Sequence, residues 1–381
     1  MLRTPDARFA TVLASVTLIG PLAVHLFLPV MPQVKAEFGV SNGLIELTFS
    51  VTLFTMATMT LVYGSLSDRL GRRPVLLMGL LLFIAGSAAS ALAGSMSTLI
   101  IGRILQAVGA ASGVILARAI ARDAYGPDRL VAAIAYLTMA YTLGPMLSPA
   151  IGGFLVDIIG WRSVLWFAML AGIGITLASY VVLYETHEPR AAVQRSPGLL
   201  GGYASLFRSK RFTAFVLQSG FSSGSFFALA AASPFLMTEQ LGRSATEYGF
   251  YFFLFPAGYC AGNFVSSRLS RRASIETMVM AGSIINVVAV AVQAALILAG
   301  YLTPLVIFLP GLFSTLSRAW RCPMRRPAPC RSCPAWPAPP RASACSSSSF
   351  SAPHLLRSTA SSPMARRSRW WRLPLPARSS P

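Results

Sequence analysis

Residues 64–74 read GSLSDRLGRRP and join two apolar runs, at 44–66 and 74–94. Each run is long enough to cross the hydrocarbon core of a bilayer, which takes about 20 residues of α-helix. The two glycines of this link predict a close approach of helices and a tight turn. Its arginines predict a cytoplasmic location, because short loops rich in Lys and Arg stay on that side. The residues that we assign to this basic-link motif are Gly64, Asp68, Arg69, Gly71, Arg72 and Arg73.

The composition excludes a soluble domain, because 54% of the residues are hydrophobic and only 12% are charged, with a mean hydropathy of +0.62. Apolar runs of membrane-spanning length recur from residue 9 to about residue 317. The predicted fold class is therefore an all-α polytopic membrane protein. Only Cys260 lies among these runs, and the pair Cys330 and Cys333 lacks a second ligand pair. We expect no disulfide framework, no metal site, no cofactor and no enzymatic activity.

The apolar runs predict nine full transmembrane helices and part of a tenth. They lie near residues 9–31, 44–66, 74–94, 98–121, 130–156, 163–184, 212–236, 247–268, 277–299 and 302–317. An N-terminus in the cytoplasm leaves only Lys35, Arg162 and Arg243 on the outer side, so the distribution of basic residues favours this orientation.

The longest link between the runs, residues 185–211, contains proline, glycine and a basic cluster, and it predicts a cytoplasmic linker. It separates an N-terminal half of six helices, residues 1–184, from a partial C-terminal half, residues 212–317. An internal repeat supports this division. The sequence RLSRR at 268–272 has the spacing of RLGRR at 69–73, and again follows the second helix of its half.

Four stretches together resemble signatures of the major facilitator superfamily. The basic-link motif is similar to the superfamily's pattern between its second and third helices. The other stretches are GPLAVHLFLPVMP at 20–32, GRILQAVGAA at 102–111 and GPMLSPAIGG at 144–153. The last resembles the signature of drug:proton antiporters, and the set looks most like the bicyclomycin-resistance-type branch. The resemblance implies a fold of two parallel six-helix halves, the second of which is truncated in this chain.

The function implied by the resemblance is proton-coupled efflux of small amphipathic drugs across a bacterial inner membrane, by alternating access in a monomer. Its partners would be the lipid bilayer, the drug and protons, with no nucleic acid. One alternative is a solute:proton symporter on the same scaffold, against which the GPMLSPAIGG stretch argues. Another is a non-transporting membrane anchor whose basic tail binds anionic lipid or nucleic acid. Scattered arginines among prolines argue against the anchor.

Charged side chains inside membrane helices cost roughly 2.5–3.5 kcal/mol each on insertion scales, so such residues usually have a function or a partner. Arg103 resembles the superfamily's membrane arginine, which is linked to proton coupling; the alternative is a structural tie to a carbonyl of a neighbouring helix. His25 stands where this branch more often has an acid, and either carries the coupled proton or is a hydrogen-bonded histidine. Glu46 is either a displaced proton site or a solvated carboxylate. Arg118 would snorkel to the membrane edge.

The GPMLSPAIGG stretch, which we call the antiporter motif, combines glycines that permit close packing with prolines that weaken a helix. The alternative is a kinked packing helix without a role in transport direction. By resemblance, Asp68 with the arginines of the basic-link motif would latch the cytoplasmic side against the second half. The residues assigned to the antiporter motif are Gly144, Pro145, Pro149, Gly152 and Gly153.

Residues 318–381 hold 12 arginines, no acid and no run of membrane-spanning length. The ordinary interpretation is a disordered basic tail rich in Pro, Ser and Arg. We favour a reading-frame shift near Ser317, because shifted codons restore apolar segments similar to the missing helices. The chain is therefore expected not to transport, with Gly262, Asn263, Asn286 and Gln293 facing lipid or one another where later helices should cover them.

Overall fold

The computed structural model describes residues 6–186, 210–269 and 274–320, and these residues form helices and turns without any strand. The all-α fold class predicted from the sequence is confirmed. Most of the predicted linker, residues 270–273 with the last part of the second basic repeat, and the tail from residue 321 lie outside the described residues.

The helices follow one another along the chain, mostly through short turns. The bounds are α1 (Ala7–His25), a 3₁₀ turn (Leu28–Val30), α2 (Met31–Phe38), α3 (Asn42–Leu70), α4 (Arg72–Ala91), α5 (Met96–Gly126), α6 (Arg129–Ile158) and α7 (Trp161–Val182). After the linker come α8 (Lys210–Phe235), a π turn (Leu236–Gln240), α9 (Ala245–Phe252), α10 (Leu254–Leu269), α11 (Ile275–Leu298) and α12 (Pro304–Trp320).

Eight stretches of the described chain are long and apolar enough to cross a membrane. The first combines α1 and α2, the next are α3 to α7, the seventh runs from α8 through the π turn, and the last lies in α11. The remaining passages are α9 with α10, which meet at Phe253, and α12, which has 17 residues. Each of the ten apolar runs predicted from the sequence therefore coincides with a helical passage.

Glycine and serine residues set several helix ends. Gly71 (φ 95°) turns α3 into α4, and Gly126 (φ 65°) breaks what is otherwise one helical stretch from Met96 to Ile158. A positive φ is open to glycine and costly for residues with a Cβ atom. Ser95 and Ser244 begin α5 and α9 as N-caps, each accepting the amide N–H three residues on.

Small residues bring α4 and α5 into backbone contact. A methyl group added at Gly86 would lie 2.6 Å from the Cα of Gln106, and one at Gly109 would lie 2.6 Å from the Cα of Phe83. Close backbone approach at small residues is how membrane helices gain packing energy, since lipid offers no hydrophobic drive. This contact fixes the face of α5 that carries the buried polar residues described below.

The helix α12 covers the polar and small residues that the sequence analysis left exposed, and that expectation was wrong for three of them. A methyl group at Gly262 would lie 2.9 Å from the Cβ of Ala319. The side chain of Gln293 donates to the carbonyl oxygen of Ile307 at 3.0 Å, and Asn286 accepts a hydrogen bond from Ser314. The helix α12, which corresponds to the tenth run predicted from the sequence, therefore packs against α10 and α11 as far as its end at Trp320.

Candidate functional site

The helix bundle has two different ends. We call the end that carries residues 64–74 the link end, and the opposite end, which carries Phe38 and Trp161, the far end. We call helices α1–α7 the first group and helices α8–α12 the second group. The residues predicted from the sequence fall into three places: a network at the link end, a buried cluster in the first group, and a junction between the groups towards the far end.

The turn at Gly71 is held by a carboxylate that arrives from the end of α7. Both oxygens of Glu185 accept hydrogen bonds from the first amides of α4, those of Arg72 and Arg73, at 3.0 Å each. An acid at a helix N-terminus satisfies free N–H groups and complements the helix dipole. A methyl group at Gly71 would lie 2.8 Å from Oε2 of Glu185, so the glycine is needed for space as well as for its backbone angles.

Arg72 is the centre of the link-end network. Its guanidinium contacts Asp68 at 2.8 Å, Asp123 of α5 at 3.0 Å and the hydroxyl of Ser67 at 2.6 Å. Because the arginine is nearly buried and its donors fork towards two carboxylates, these are charge-assisted hydrogen bonds. They fasten the turn between α3 and α4 to α5.

The basic-link motif thus makes its described contacts within the first group. Arg73 donates to the carbonyl oxygen of Tyr180 on α7 at 2.8 Å and lies over that ring. Arg69 is exposed, and no described atom lies within 4 Å of a methyl group added at Gly64. The close helix approach expected at Gly64 is therefore absent in this conformation. The expected latch of Asp68 against the second half stays a prediction.

Arg103 is 1% exposed and ties α5 to α1. One terminal nitrogen donates to the carbonyl oxygen of Ala23 at 2.8 Å, the other donates to Gln106, and the guanidinium lies 4.2 Å from the ring centroid of Phe27. Since α1 ends at His25, the carbonyl of Ala23 lies in its last turn and lacks an intrahelical donor. The geometry is the structural tie that the sequence analysis gave as the alternative.

Gln106 extends this cluster to α4. Its side-chain nitrogen donates to the hydroxyl of Ser87 at 2.8 Å, which in turn donates to the carbonyl oxygen of Phe83. Among the described residues no carboxylate contacts Arg103, so neutral acceptors and an aromatic ring surround its charge. A buried polar network of this kind fixes side-chain positions because each lost partner is costly.

The structure does not bring His25 and Glu46 into one site. The Nδ1 atom of His25, which is 7% exposed, lies 3.2 Å from the carbonyl oxygen of Pro21 one turn earlier. Its ring packs against Phe252 of the second group, with centroids 6.1 Å apart. Glu46 is half-buried near the start of α3 and makes no hydrogen bond or ion pair with any described residue. Arg118 is 9% exposed, so the snorkelling expected for it is not observed.

The antiporter motif lies where α6 meets both α1 and the second group. Methyl groups at Gly144 and Gly152 would collide with Pro21 and with Pro29, the latter at 2.9 Å. A methyl group at Gly153 would lie 2.6 Å from the carbonyl carbon of Ala245, at the start of α9.

Further along α9, Gly249 packs in the same way against Ala150, whose Cα would lie 2.6 Å from an added methyl group. Within α6 the backbone remains helical through Pro145 and Pro149. The motif therefore serves as a contact surface between the groups, and its two prolines lie within the helix without ending it.

Two polar contacts close the same junction at the far end. Lys35 of α2 forms an ion pair with Glu239 in the π turn after α8, at 2.7 and 2.9 Å. Asp157, near the end of α6, accepts the amide N–H groups of Ala245 at 3.2 Å and Thr246 at 2.7 Å. Together with the glycine contacts they hold the first and second groups together on that side.

Sequence reasoning missed several members of these networks. Glu185 was assigned to the linker, and Asp123, Asp157 and Glu239 were not singled out in the sequence. Gln106 was quoted only as part of a motif. A signal was present for Asp157 and Glu239, because each carboxylate lies at the end of a helix close to a glycine turn. Their partners are 88 and 204 residues away along the chain, which periodicity cannot reveal.

Comparisons with known proteins agree with this architecture. The sequence model of the Major Facilitator Superfamily matches residues 13–320. Multidrug resistance protein D of Escherichia coli strain K12 is 28% identical over 275 residues, which are 72% of this chain and 69% of that protein. The bicyclomycin resistance protein homolog of Haemophilus influenzae is 22% identical over 271 residues, which are 71% of this chain and 68% of that protein.

Among solved structures, a D-xylose–proton symporter superposes with a TM-score of 0.67 at 14% identity. The superposition covers 82% of this chain and 80% of the symporter. At this identity the likeness concerns the fold alone.

Proposed function

The chain belongs to the major facilitator superfamily, and from that premise we propose that it exports small amphipathic drug-like compounds across a bacterial inner membrane. The observation that carries the proposal is the position of the antiporter motif. Its Gly153 contacts Ala245 of α9 and its Ala150 contacts Gly249, at the junction that must open and close if the two groups rock about a central substrate. Relatives named for multidrug and bicyclomycin resistance support the direction of transport.

The described contacts suit one state of an alternating-access cycle. At the far end the groups are joined by Lys35–Glu239 and by the carboxylate of Asp157 on the start of α9. At the link end the motif residues pair within the first group, through Arg72 and Glu185. We propose that the link end is cytoplasmic, which its arginines support. In this state a substrate would enter from the cytoplasm.

Proton entry from outside would provide the driving force, and Arg103 is the residue that we propose to couple it. Its guanidinium donates to the carbonyl oxygen of Ala23 in the last turn of α1, shortly before the 3₁₀ turn at Leu28–Val30. Glycines of α6 pack against the same region of α1. A change in the interactions of Arg103 would therefore affect both the path of the substrate and the junction between the two groups. His25, which bonds to the preceding turn and contacts Phe252, is the proposed titrating group, since an imidazole changes charge near neutral pH.

The experiment uses everted membrane vesicles containing the 381-residue chain, with a pH-sensitive dye reporting proton release when drug is added. The wild-type chain should move protons in response to drug, Arg103→Ala should abolish the response, and His25→Ala should flatten its pH dependence. Arg243→Gln removes an equal charge from an exposed residue paired within its own group, and should leave the response intact.

Because Arg103→Ala exposes orphaned carbonyls, its folding needs a separate check by size-exclusion chromatography of the solubilised protein. Arg103→Lys keeps the charge and one donor, and should retain part of the response. A wild-type chain of confirmed mass without drug-dependent proton movement would refute the proposal and agree with the inactivity expected from the sequence. Unchanged coupling in Arg103→Ala would leave Arg103 as a packing residue.

A further inference from the structure

Six aromatic rings form a continuous series of contacts that begins and ends in the first group. In order, they belong to Phe49 of α3, Phe227 and Phe226 of α8, Phe255 of α10, Phe252 of α9 and His25 of α1. The centroids of successive rings lie 6.2, 5.3, 5.7, 5.0 and 6.1 Å apart. Each distance falls within the roughly 4.5–7 Å of interacting aromatic pairs. We call these six residues the aromatic arc.

The aromatic arc crosses between the two groups at two places. Phe49 meets Phe227 where α3 faces α8, and we call this contact the α3–α8 seam. His25 meets Phe252 where α1 faces α9, and we call this contact the α1–α9 seam. The side chains of Phe49, Phe252 and His25 are 0–7% exposed, so both seams are closed in this state.

Towards the link end, the space beside α8 is open. No described atom lies within 4 Å of methyl groups added at Gly220 and Gly224. Gly220 is seven residues before Phe227, which places it on nearly the same side of α8, about 10 Å nearer the link end. The aromatic arc therefore lies between the closed far end and the space that opens towards the link end.

The middle of the aromatic arc ties α8 to α9 and α10. Phe226 packs against Phe255 at an interplanar angle of 72°, and Phe255 packs against Phe252 at 71°. Such edge-to-face pairs favour a defined geometry, because the positive edge of one ring faces the negative face of the other. Movement of α8 at one seam should therefore move α9, which carries the second-group ring of the other seam.

We propose that the aromatic arc is an inner gate, which closes both seams in this state and makes them open together. Phe252 lies about two turns of helix deeper than Ala245, which Asp157 contacts, so the gate is a second barrier beneath the polar contacts of the far end. In the opposite state of the cycle both seams part and the substrate passes between them. The gate rests on the proposed export function, since it requires that the two groups alternate, and it deepens that function by naming the residues that seal the substrate path.

Distances between spin labels test the gate without requiring transport. In the full chain with its five cysteines replaced by serine, labels at Leu47 and Gln240 span the α3–α8 seam. Labels at Ala36 and Phe250 span the α1–α9 seam, and all four positions are exposed. Phe49→Ala removes the ring contact of the α3–α8 seam alone. It should raise the ratio of open to closed molecules at both seams by the same factor, about two- to tenfold, which is the range for an aromatic pair.

A second substitution tests whether the rings carry the coupling. Phe255→Leu interrupts the aromatic arc in its middle and keeps an apolar side chain. Added to Phe49→Ala, it should leave the increase at the α3–α8 seam and remove the increase at the α1–α9 seam. Phe255→Tyr, which keeps a ring, should retain the joint opening. The matched control is Phe54→Ala, because Phe54 lies on α3 as Phe49 does, is 74% exposed and is not part of the aromatic arc.

An α1–α9 distance that does not respond to Phe49→Ala would overturn the proposal. Joint opening of both seams in the double variant with Phe255→Leu would do the same, since rigid movement of whole groups would then suffice. An equal response to Phe54→Ala would also overturn it. Absence of drug-dependent proton movement, with the label distances as expected, would refute the proposed function and leave the gate standing.

Discussion

The contact between Asp157 and the start of α9 predicts how strongly the far end is held closed. Asp157→Asn keeps the shape of the side chain but removes its charge, and leaves one oxygen to accept two N–H groups. The carboxylate accepts from Ala245 at 3.2 Å and from Thr246 at 2.7 Å, across the junction between the groups. When the far end opens, these bonds must break, so the substitution destabilises the closed state alone.

The magnitude follows from helix capping. Loss of a side-chain acceptor for the free N–H groups at a helix N-terminus costs about 0.5–2 kcal/mol. The exposed position of Asp157 places it towards the lower part of that range, since water screens the charge. A loss of about 1 kcal/mol changes the ratio of far-end-closed to far-end-open molecules by about fivefold. Such a shift is small enough to leave the protein folded and large enough to measure.

The assay is the distance between spin labels placed at Leu92 and Tyr301, which are exposed at the far end of the first and second groups. Asp157→Asn should increase the population at long distance. Glu247→Gln is the control, because Glu247 lies in the same first turn of α9 but pairs with Arg243 of its own group. An unchanged distribution of label distances in Asp157→Asn, or an equal shift in Glu247→Gln, would contradict the inference that this contact holds the far end closed.

Three further predictions concern the glycines and the gene. Gly153→Val should prevent far-end closure, since its side chain would overlap the backbone of Ala245, and the same spin labels should then report the long distance alone. Gly71→Ala should destabilise the purified protein by about 1–3 kcal/mol, because φ 95° with ψ 156° is a glycine conformation and Glu185 occupies the space; Gly64→Ala, with open space, should leave the thermal unfolding temperature unchanged. One base inserted or deleted near codon 317 should restore a long apolar reading frame, and stop codons early in the other frames of the gene would disprove it.

The helices could be read from the sequence because the physics of a bilayer acts on each segment by itself. A run of about 20 apolar residues must be helical in lipid, whatever it packs against. The turn at Gly71 was likewise readable, because glycine is the residue that tolerates its backbone angles. These features depend on neighbours along the chain, and each of the ten apolar runs coincides with a helical passage.

The partners of the charged residues could not be read in the same way. Arg72 contacts Asp123, and its backbone amide contacts Glu185, 51 and 113 residues further along the chain. Arg103 donates to the carbonyl oxygen of Ala23, which lacks an intrahelical donor because α1 ends at His25. Such pairings depend on which helix faces meet, and hydrophobic periodicity does not distinguish lipid-facing from partner-facing surfaces in a membrane protein. The expectation about Gly262 was wrong for this reason, since α12 covers it.

The shortness of the turns within the first group has a consequence for how the protein is made. Gly126 alone breaks the helical stretch from Met96 to Ile158, and Ile159 with Gly160 separates α6 from α7. The turns between these helices are too short for one helix to remain outside the bilayer while the next is synthesised. Neighbouring helices should therefore enter the bilayer together as antiparallel hairpins. Biogenesis would then proceed in pairs of helices until Val182. The long link that follows would give the ribosome time to finish the first group before the second begins.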